Sequence, residues 1–216
     1  MRTRTLALTA VATVGLVLGA AGQAGAATGG VLTVGSAGGT NVNVNDIVKG
    51  AINSDFVFTT SSGVIDCSTG QFTAKVTANP NKGAGNAVES ITQLHADPAN
   101  CTTTVVGTFS VVSVEINGPA TGNVVDGTSP KLKVTSLDEQ VTLASFLGNV
   151  TCDYGTTGSV TEIDGSLSNT TNAISFATQN VNLISGSGLC PSSGTFKGGV
   201  GPVLDTTQSS KKVFVN

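Results

Sequence analysis

Tryptophan is absent from this 216-residue chain, and tyrosine, methionine and histidine occur once each. The lone imidazole, His95, leaves a serine or cysteine nucleophile a single candidate base, and no serine stands in a G-x-S-x-G elbow. A polar residue beside an inward-facing Leu94 on one strand is the simpler reading of His95. Aromatic residues make up 4% of the chain, too few for the stacking platforms of a carbohydrate cleft. Such a cleft could draw only on Tyr154 and scattered phenylalanines. Basic residues are scarce too. Ten lysines and arginines face thirteen acids, and that balance argues against nucleic acid or anionic membrane surfaces as partners, which both demand basic patches. The glycine-rich run Gly35 to Gly39 lacks a following Lys-Ser/Thr, so it reads as a turn and not as a phosphate cradle.

What is present begins with an export signal. Arg2 and Arg4 form a basic start, Leu6 to Ala20 is nearly all apolar, and Ala24-Gly25-Ala26 has the small-x-small pattern of a cleavage site. Residues 1–26 are therefore expected to be a cleaved signal peptide, and 27–216 the secreted domain. Thr3 separates the two arginines, so the strict twin-arginine pattern is not met. Removal leaves eight lysines against thirteen acids, a net charge of −5 in place of −3. No later run approaches the roughly 20 apolar residues of a membrane-spanning helix, so no integral membrane insertion is expected after processing.

All four cysteines lie in the exported part. Four cysteines allow three pairings, and the repeated neighbourhoods favour Cys67–Cys101 with Cys152–Cys190. Cys67 opens Cys-Ser-Thr-Gly and Cys152 opens Cys-Asp-Tyr-Gly. Leu94 and Leu183 stand at matching places ahead of Cys101 and Cys190, and each is followed by Gly-Thr-Phe, at Gly107-Thr108-Phe109 and Gly194-Thr195-Phe196. A duplicated β unit explains the shared order, with halves near 27–120 and 121–216 and a seam near Asn117 to Pro130. Metal ligation by these thiols is not expected, since no C-x-x-C spacing occurs.

Short alternating segments point to an all-β fold, an antiparallel sandwich or barrel braced by two disulfides. Strands are expected at 31–36, 42–44, 56–60, 72–77, 88–95, 103–116 with a break near Gly107 or Ser110, and 132–134. Further strands are expected at 159–163, 173–177, 181–184 and 212–215. Residues 136–147 can be read with either period; Ser136 to Glu139 resembles a helix cap, but Val141 and Leu143 alternate, which favours a strand. Gly198 to Pro202 reads as an irregular break.

Chemistry-bearing acids are few. Asp138-Glu139 reads as a solvated turn pair, and Asp153, Glu162 and Asp164 as surface acids. Asp126-Gly127 and Asp164-Gly165 are oxygen-rich turns without the D-x-[DN]-x-[DN]-G pattern of a calcium loop. No catalytic, cofactor-binding or metal residue is assigned. Phe56, Phe58, Phe109, Phe146 and Phe176 could line an apolar cleft, although core packing is the commoner fate of phenylalanine.

Several stretches resemble a group of actinobacterial secreted proteins labelled "Tat pathway signal sequence domain protein". They are Leu32-Thr33-Val34-Gly35-Ser36-Ala37-Gly38-Gly39-Thr40-Asn41-Val42, Phe72 to Pro80, Glu89-Ser90-Ile91-Thr92, Leu147 to Tyr154, and the end at Asp205 to Gln208 with Val213 to Asn216. The resemblance implies secretion and two disulfides, and it carries over no catalytic residue. The expectation is a non-enzymatic extracellular or cell-envelope protein with a structural or surface-interaction role and a cell-wall or protein partner. The alternative is a carrier of a small apolar ligand in a sandwich or barrel pocket.

Overall fold

Alternating Val, Thr, Ile and Phe carry this chain into strands, because β-branched and aromatic side chains suit a pleated, half-buried surface. The computed structural model describes residues 29–216; the expected signal peptide, 1–26, lies outside the described residues. The first-half strands are β1 (Leu32–Val34), β2 (Thr40–Asn41), β3 (Ile47–Thr60), β4 (Gly63–Cys67), β5 (Gly70–Ala78), β6 (Ala87–Ala96), β7 (Cys101–Thr103) and β8 (Thr108–Ile116). There follow β9 (Ala120–Val125), β10 (Lys131–Thr135), β11 (Asp138–Ser145), β12 (Gly148–Gly155), β13 (Ile163–Ser168), β14 (Ala173–Gly186), β15 (Ser193–Val200), β16 (Leu204–Asp205) and β17 (Lys211–Val215). A 3-10 turn, Pro98–Asn100, is capped by the Asp97 side chain.

Eight of these strands close into an antiparallel barrel in the order β3, β5, β6, β9, β10, β13, β14, β15 and back to β3. Its wall takes strands from both sides of the 117–130 stretch, through which β9 itself runs. A barrel of this size has an interior just wide enough for side chains to fill. Val48, Phe72, Val76, Ile91, Val124, Leu132, Ile163, Ile174 and Val200 are all buried in the core.

Strands β3, β6, β14 and β15 outrun the barrel, and β4, β7, β8, β11 and β12 extend the sheet from their free ends, while β16 pairs with Val48–Lys49 of β3 and leads through β17 to β1 and β2. Phe56–Thr60 of β3 pairs with β4, and β4 with β7. On the other side β15 leads to Asn182–Gly186 of β14, then to β12, β11 and β8. This second wall curls until β7 and β8 face each other, where the Thr103 and Thr108 hydroxyls lie 3.3 Å apart. Cys67–Cys101 joins β4 to β7, and Cys152–Cys190 joins β12 to the β14–β15 loop. Both disulfides therefore brace the second wall and not the closed barrel.

Four local expectations differ from the structure. Residues 42–44 are not a strand: the Asp46 carboxylate accepts from the Asn43 backbone N–H at 2.8 Å and folds this stretch into a turn. Residues 159–162 form a loop, and the strand begins only at Ile163. The segments 173–177 and 181–184 are one strand, β14, with a bulge between Phe176 and Gln179. Gly198-Gly199-Val200 belongs to β15, where Phe56 lies over Gly198 and Phe58 lies over Gly194, whose added Cβ would sit 2.7 Å from the ring. The rings cover bare glycine backbone, which is how a glycine-rich segment holds a strand.

Candidate functional site

The β11–β12 ladder builds one wall of an apolar cavity row by row. Leu143 faces Val150, Val141 faces Cys152, and Glu139 faces Tyr154. With period-2 alternation all six point to the same side of the sheet. Phe58 on β3 and Ile65 on β4 close the opposite side. The outer space has a volume of about 450 Å3 and opens between the β7–β8, β11–β12 and β14–β15 loops. That lies within the range of small-molecule sites, which are mostly apolar and concave. Among the described residues no charged side chain lines this mouth; its polar groups are Thr60, Ser62, Thr108 and Ser145, with Tyr154 deeper in.

The rim is apolar where a soluble surface is normally polar. Val106 is 84% exposed, and Phe146 and Leu147 are 87% exposed each. Leu189 and Phe109 also project into solvent, and the Phe109 and Phe146 rings pair at 5.6 Å. Three loops thus present large apolar side chains around one opening, and such clustering marks interaction or ligand sites more often than scattered exposure does. The Cys152–Cys190 bridge and the Tyr154 hydroxyl, which donates to the Pro191 carbonyl at 2.9 Å, tie the β14–β15 loop to the cavity wall. Burial pushes the Tyr154 phenol up to about 12, so it stays a donor through the physiological range.

Beneath the mouth lies a smaller space of about 60 Å3. Phe58, Ile65, Val141 and Tyr154 border both spaces, and the Phe58 and Tyr154 rings stand 4.7 Å apart between them. Glu139 lines this inner space among Phe56, Val114, Leu137 and Val181. Its Oε2 is shielded from solvent and has no hydrogen-bond partner among the described residues. Burial, with the Asp138 and Glu115 carboxylates nearby, holds the Glu139 carboxyl well above the usual range.

The phenylalanines expected at a cleft divide into three groups. Phe56 and Phe58 line the inner space, Phe109 and Phe146 form the rim pair, and Phe176 packs on Phe196 at 5.4 Å, away from the mouth. Asp138 and Glu139 are not a solvated turn pair, since both lie within β11 on opposite faces. Asp153 is buried, bonded to Gln140 and Ser185. Glu162, in the loop before β13, and Asp164 on β13 lie elsewhere, paired with Lys133 and with Lys131 and Lys133 of β10. Asp164-Gly165 is strand and not turn, while Asp126 accepts from the Gly83 N–H at 2.9 Å. His95 lies 3.4 Å from Glu115 on a half-exposed patch beside Gln93 and Ile116.

Sequence reasoning missed Ile65, Leu143, Tyr154 and Leu189 as cavity residues, and it placed Glu139 outside. The spacing Glu139, Val141, Leu143 carried the signal, because one strand face that buries the two aliphatics also turns the acid inward. Another inward acid, Glu89 on β6, lies inside the closed barrel beside Phe72, Val124 and Leu132, and burial lifts its carboxyl to about 7.

No family model, curated protein or solved structure matches this chain. Two disulfides are compatible with an oxidising, extracellular setting. No helix among the described residues is long and apolar enough to cross a membrane.

Proposed function

We propose that this is a secreted, non-enzymatic binding protein that carries a small apolar ligand in the mouth formed by β3, β4, β11 and β12. The observation that carries this reading is the charge-free cavity of about 450 Å3 opening between apolar loop tips. Leu143, Val150 and Phe146 line this space and offer apolar contacts to a molecule bound there. The disulfides support the extracellular setting, together with the leader pattern of residues 1–26. The test is titration of the mature protein with the uncharged dye Nile red. One saturable site is expected, lost in Leu143→Trp, which fills the mouth, while unfolding stays cooperative. Non-saturating uptake, or uptake unchanged by Leu143→Trp, would contradict the reading.

A second reading is favoured by one observation, the exposure of Val106, Phe146 and Leu147. In it the rim docks on an envelope or protein partner, as expected of a surface-interaction module. Envelope association that persists in Leu143→Trp but fails in Phe146→Ser would support docking over carriage.

A further inference from the structure

Most polar groups around the inner space already have partners. The Tyr154 hydroxyl is donated to Pro191, and Gln140 and Asp153 bond to each other at 3.0 Å on the opposite face of the ladder. Glu139 is the exception. It is the one acid or base among the aliphatic and aromatic side chains that line this space, and its Oε2 has no partner. A buried polar atom left unmade costs about 1–3 kcal/mol, and a protein that retains one invites the question of what completes it.

The surroundings restrict the answer. The charged groups nearest to Glu139 are acids on the other face of the same sheet, Asp138 beside it on β11 and Glu115 on β8 opposite Gln140, and both act on its carboxyl through the sheet. Asp153 lies opposite Gln140 on β12. The basic group in this neighbourhood, His95 on β6, is already engaged with Glu115 at 3.4 Å. The local field is therefore negative. It repels an anionic head group and favours a cationic one. The mouth above carries no charge, so whatever reaches Glu139 must have an apolar body. From the Leu143–Val150 row to the Glu139–Tyr154 row is about 14 Å at strand spacing, a span that an extended chain or slender ring system covers.

We propose that the ligand is an amphiphilic amine, with its apolar body in the mouth and its nitrogen on Glu139. This rests on the carrier reading above and names the ligand class for the same site. An uncharged amine accepts the carboxyl proton: the Glu139 O–H bond breaks, an N–H bond forms, and an ammonium–carboxylate pair results. An amine arriving already protonated sends the carboxyl proton to solvent. Entry requires the Phe58 and Tyr154 rings to turn aside, since they border both spaces.

The test displaces Nile red from the mature protein with three probes of equal chain length, dodecylamine, 1-dodecanol and dodecanoate, below their micelle concentrations. The amine is expected to displace the dye at a concentration at least tenfold lower than the alcohol, with dodecanoate weakest. Glu139→Gln should erase the amine's advantage and leave the alcohol unchanged. In the wild type that advantage should grow as pH rises from 5 to 8, and His95→Asn should leave this profile in place. Equal displacement by amine and alcohol, an advantage that survives Glu139→Gln, or a pH-independent advantage would each overturn the proposal while the carrier reading stands. Failure of the dye to bind saturably would overturn both.

Discussion

Asp46 and Asp205 meet side chain to side chain between the turn before β3 and the turn after β16, and both are buried. Asp205 accepts from the backbone N–H groups of Thr207 and Gln208 through Oδ1. Asp46 accepts from Asn43 and from the Gln208 side chain through Oδ2. Burial pushes Asp205 above its ordinary range and the neighbouring Asp46 charge adds to it. Burial also acts on Asp46, but bonds from Gln208 and Asn43 outweigh it and the net direction is downward. The two shifts run in opposite directions, as expected where adjacent buried carboxyls resist ionising together, so Asp205 is the one that keeps its proton to the higher pH.

This arrangement separates two substitutions. A raised folded value at Asp205 means that its stabilisation is complete below the ordinary carboxylate range and is lost as pH rises through the folded value. Asp205→Asn keeps a donor toward Asp46 without that loss. It is expected to raise stability at pH 8 by about 1 kcal/mol. Asp46→Asn replaces the carboxylate that accepts from the Asn43 backbone, the Asn43 side chain and Gln208 with an uncharged amide that has a single acceptor oxygen, and it is expected to lower stability by about 1–3 kcal/mol at pH 7. Urea midpoints of the two variants across pH 4–9 check both directions.

Glu89 predicts a broader slope. Its carboxyl, raised from 4.5 to about 7 by burial, stabilises the fold fully below pH ~4.5, and that share is lost as pH rises through about 7. The shift corresponds to about 3 kcal/mol between pH 4 and pH 9. Glu89→Gln should flatten this slope and leave the variant the more stable form at pH 9. Parallel slopes in the wild type and Glu89→Gln would contradict the placement of this acid inside the barrel.

The disulfides close loops with sequence separations of 34 and 38, for which the chain-entropy account gives about 3–4 kcal/mol each. Both brace the second wall. Loss of Cys152–Cys190 in the double serine variant should raise amide exchange first in residues 187–193 and in β12, with barrel strands β5, β6 and β10 staying protected. Uniform loss of protection would show that the barrel and the second wall unfold as one unit.

Phe56 and Phe58 lie over glycines, so bulk added beneath them has no room. Gly198→Val and Gly194→Val are expected to destabilise by about 1–3 kcal/mol each through overpacking. A thermal unfolding series that includes Gly107→Ala as a turn control, where φ is +81°, separates ring displacement from backbone strain.

These cases show which parts of the molecule were legible in the sequence. The all-β fold and the disulfide partners could be read from alternation and from the repeated surroundings of Cys67 and Cys152. Closure of the barrel could not, because it depends on β15 reaching β3 across most of the chain. The β15 strand itself was hidden, since Gly198 and Gly199 signal a break until Phe56 is known to cover them. The cavity was half legible. Phe58 and Phe146 could be named from composition, whereas Tyr154 and Leu189 become neighbours only when β12 and the β14–β15 loop are bridged. Glu139 was misplaced because its acidic neighbour Asp138 outweighed the alternation of Val141 and Leu143.

Exposed rim residues give a contrasting expectation. Phe146→Ser and Val106→Ser should change stability by no more than about 0.5 kcal/mol, as at most surface positions, yet weaken Nile red uptake several-fold. A large stability loss with unchanged uptake would place these side chains in the packing of the fold and not at the entrance.

The most direct measurement is native mass spectrometry of the mature protein recovered from the medium of its producing cells. Carriage in the mouth predicts a single non-covalent adduct of small-molecule mass, released by organic solvent and absent after recovery of Leu143→Trp. A bare chain mass, under gentle conditions that preserve a control carrier's adduct, would contradict it.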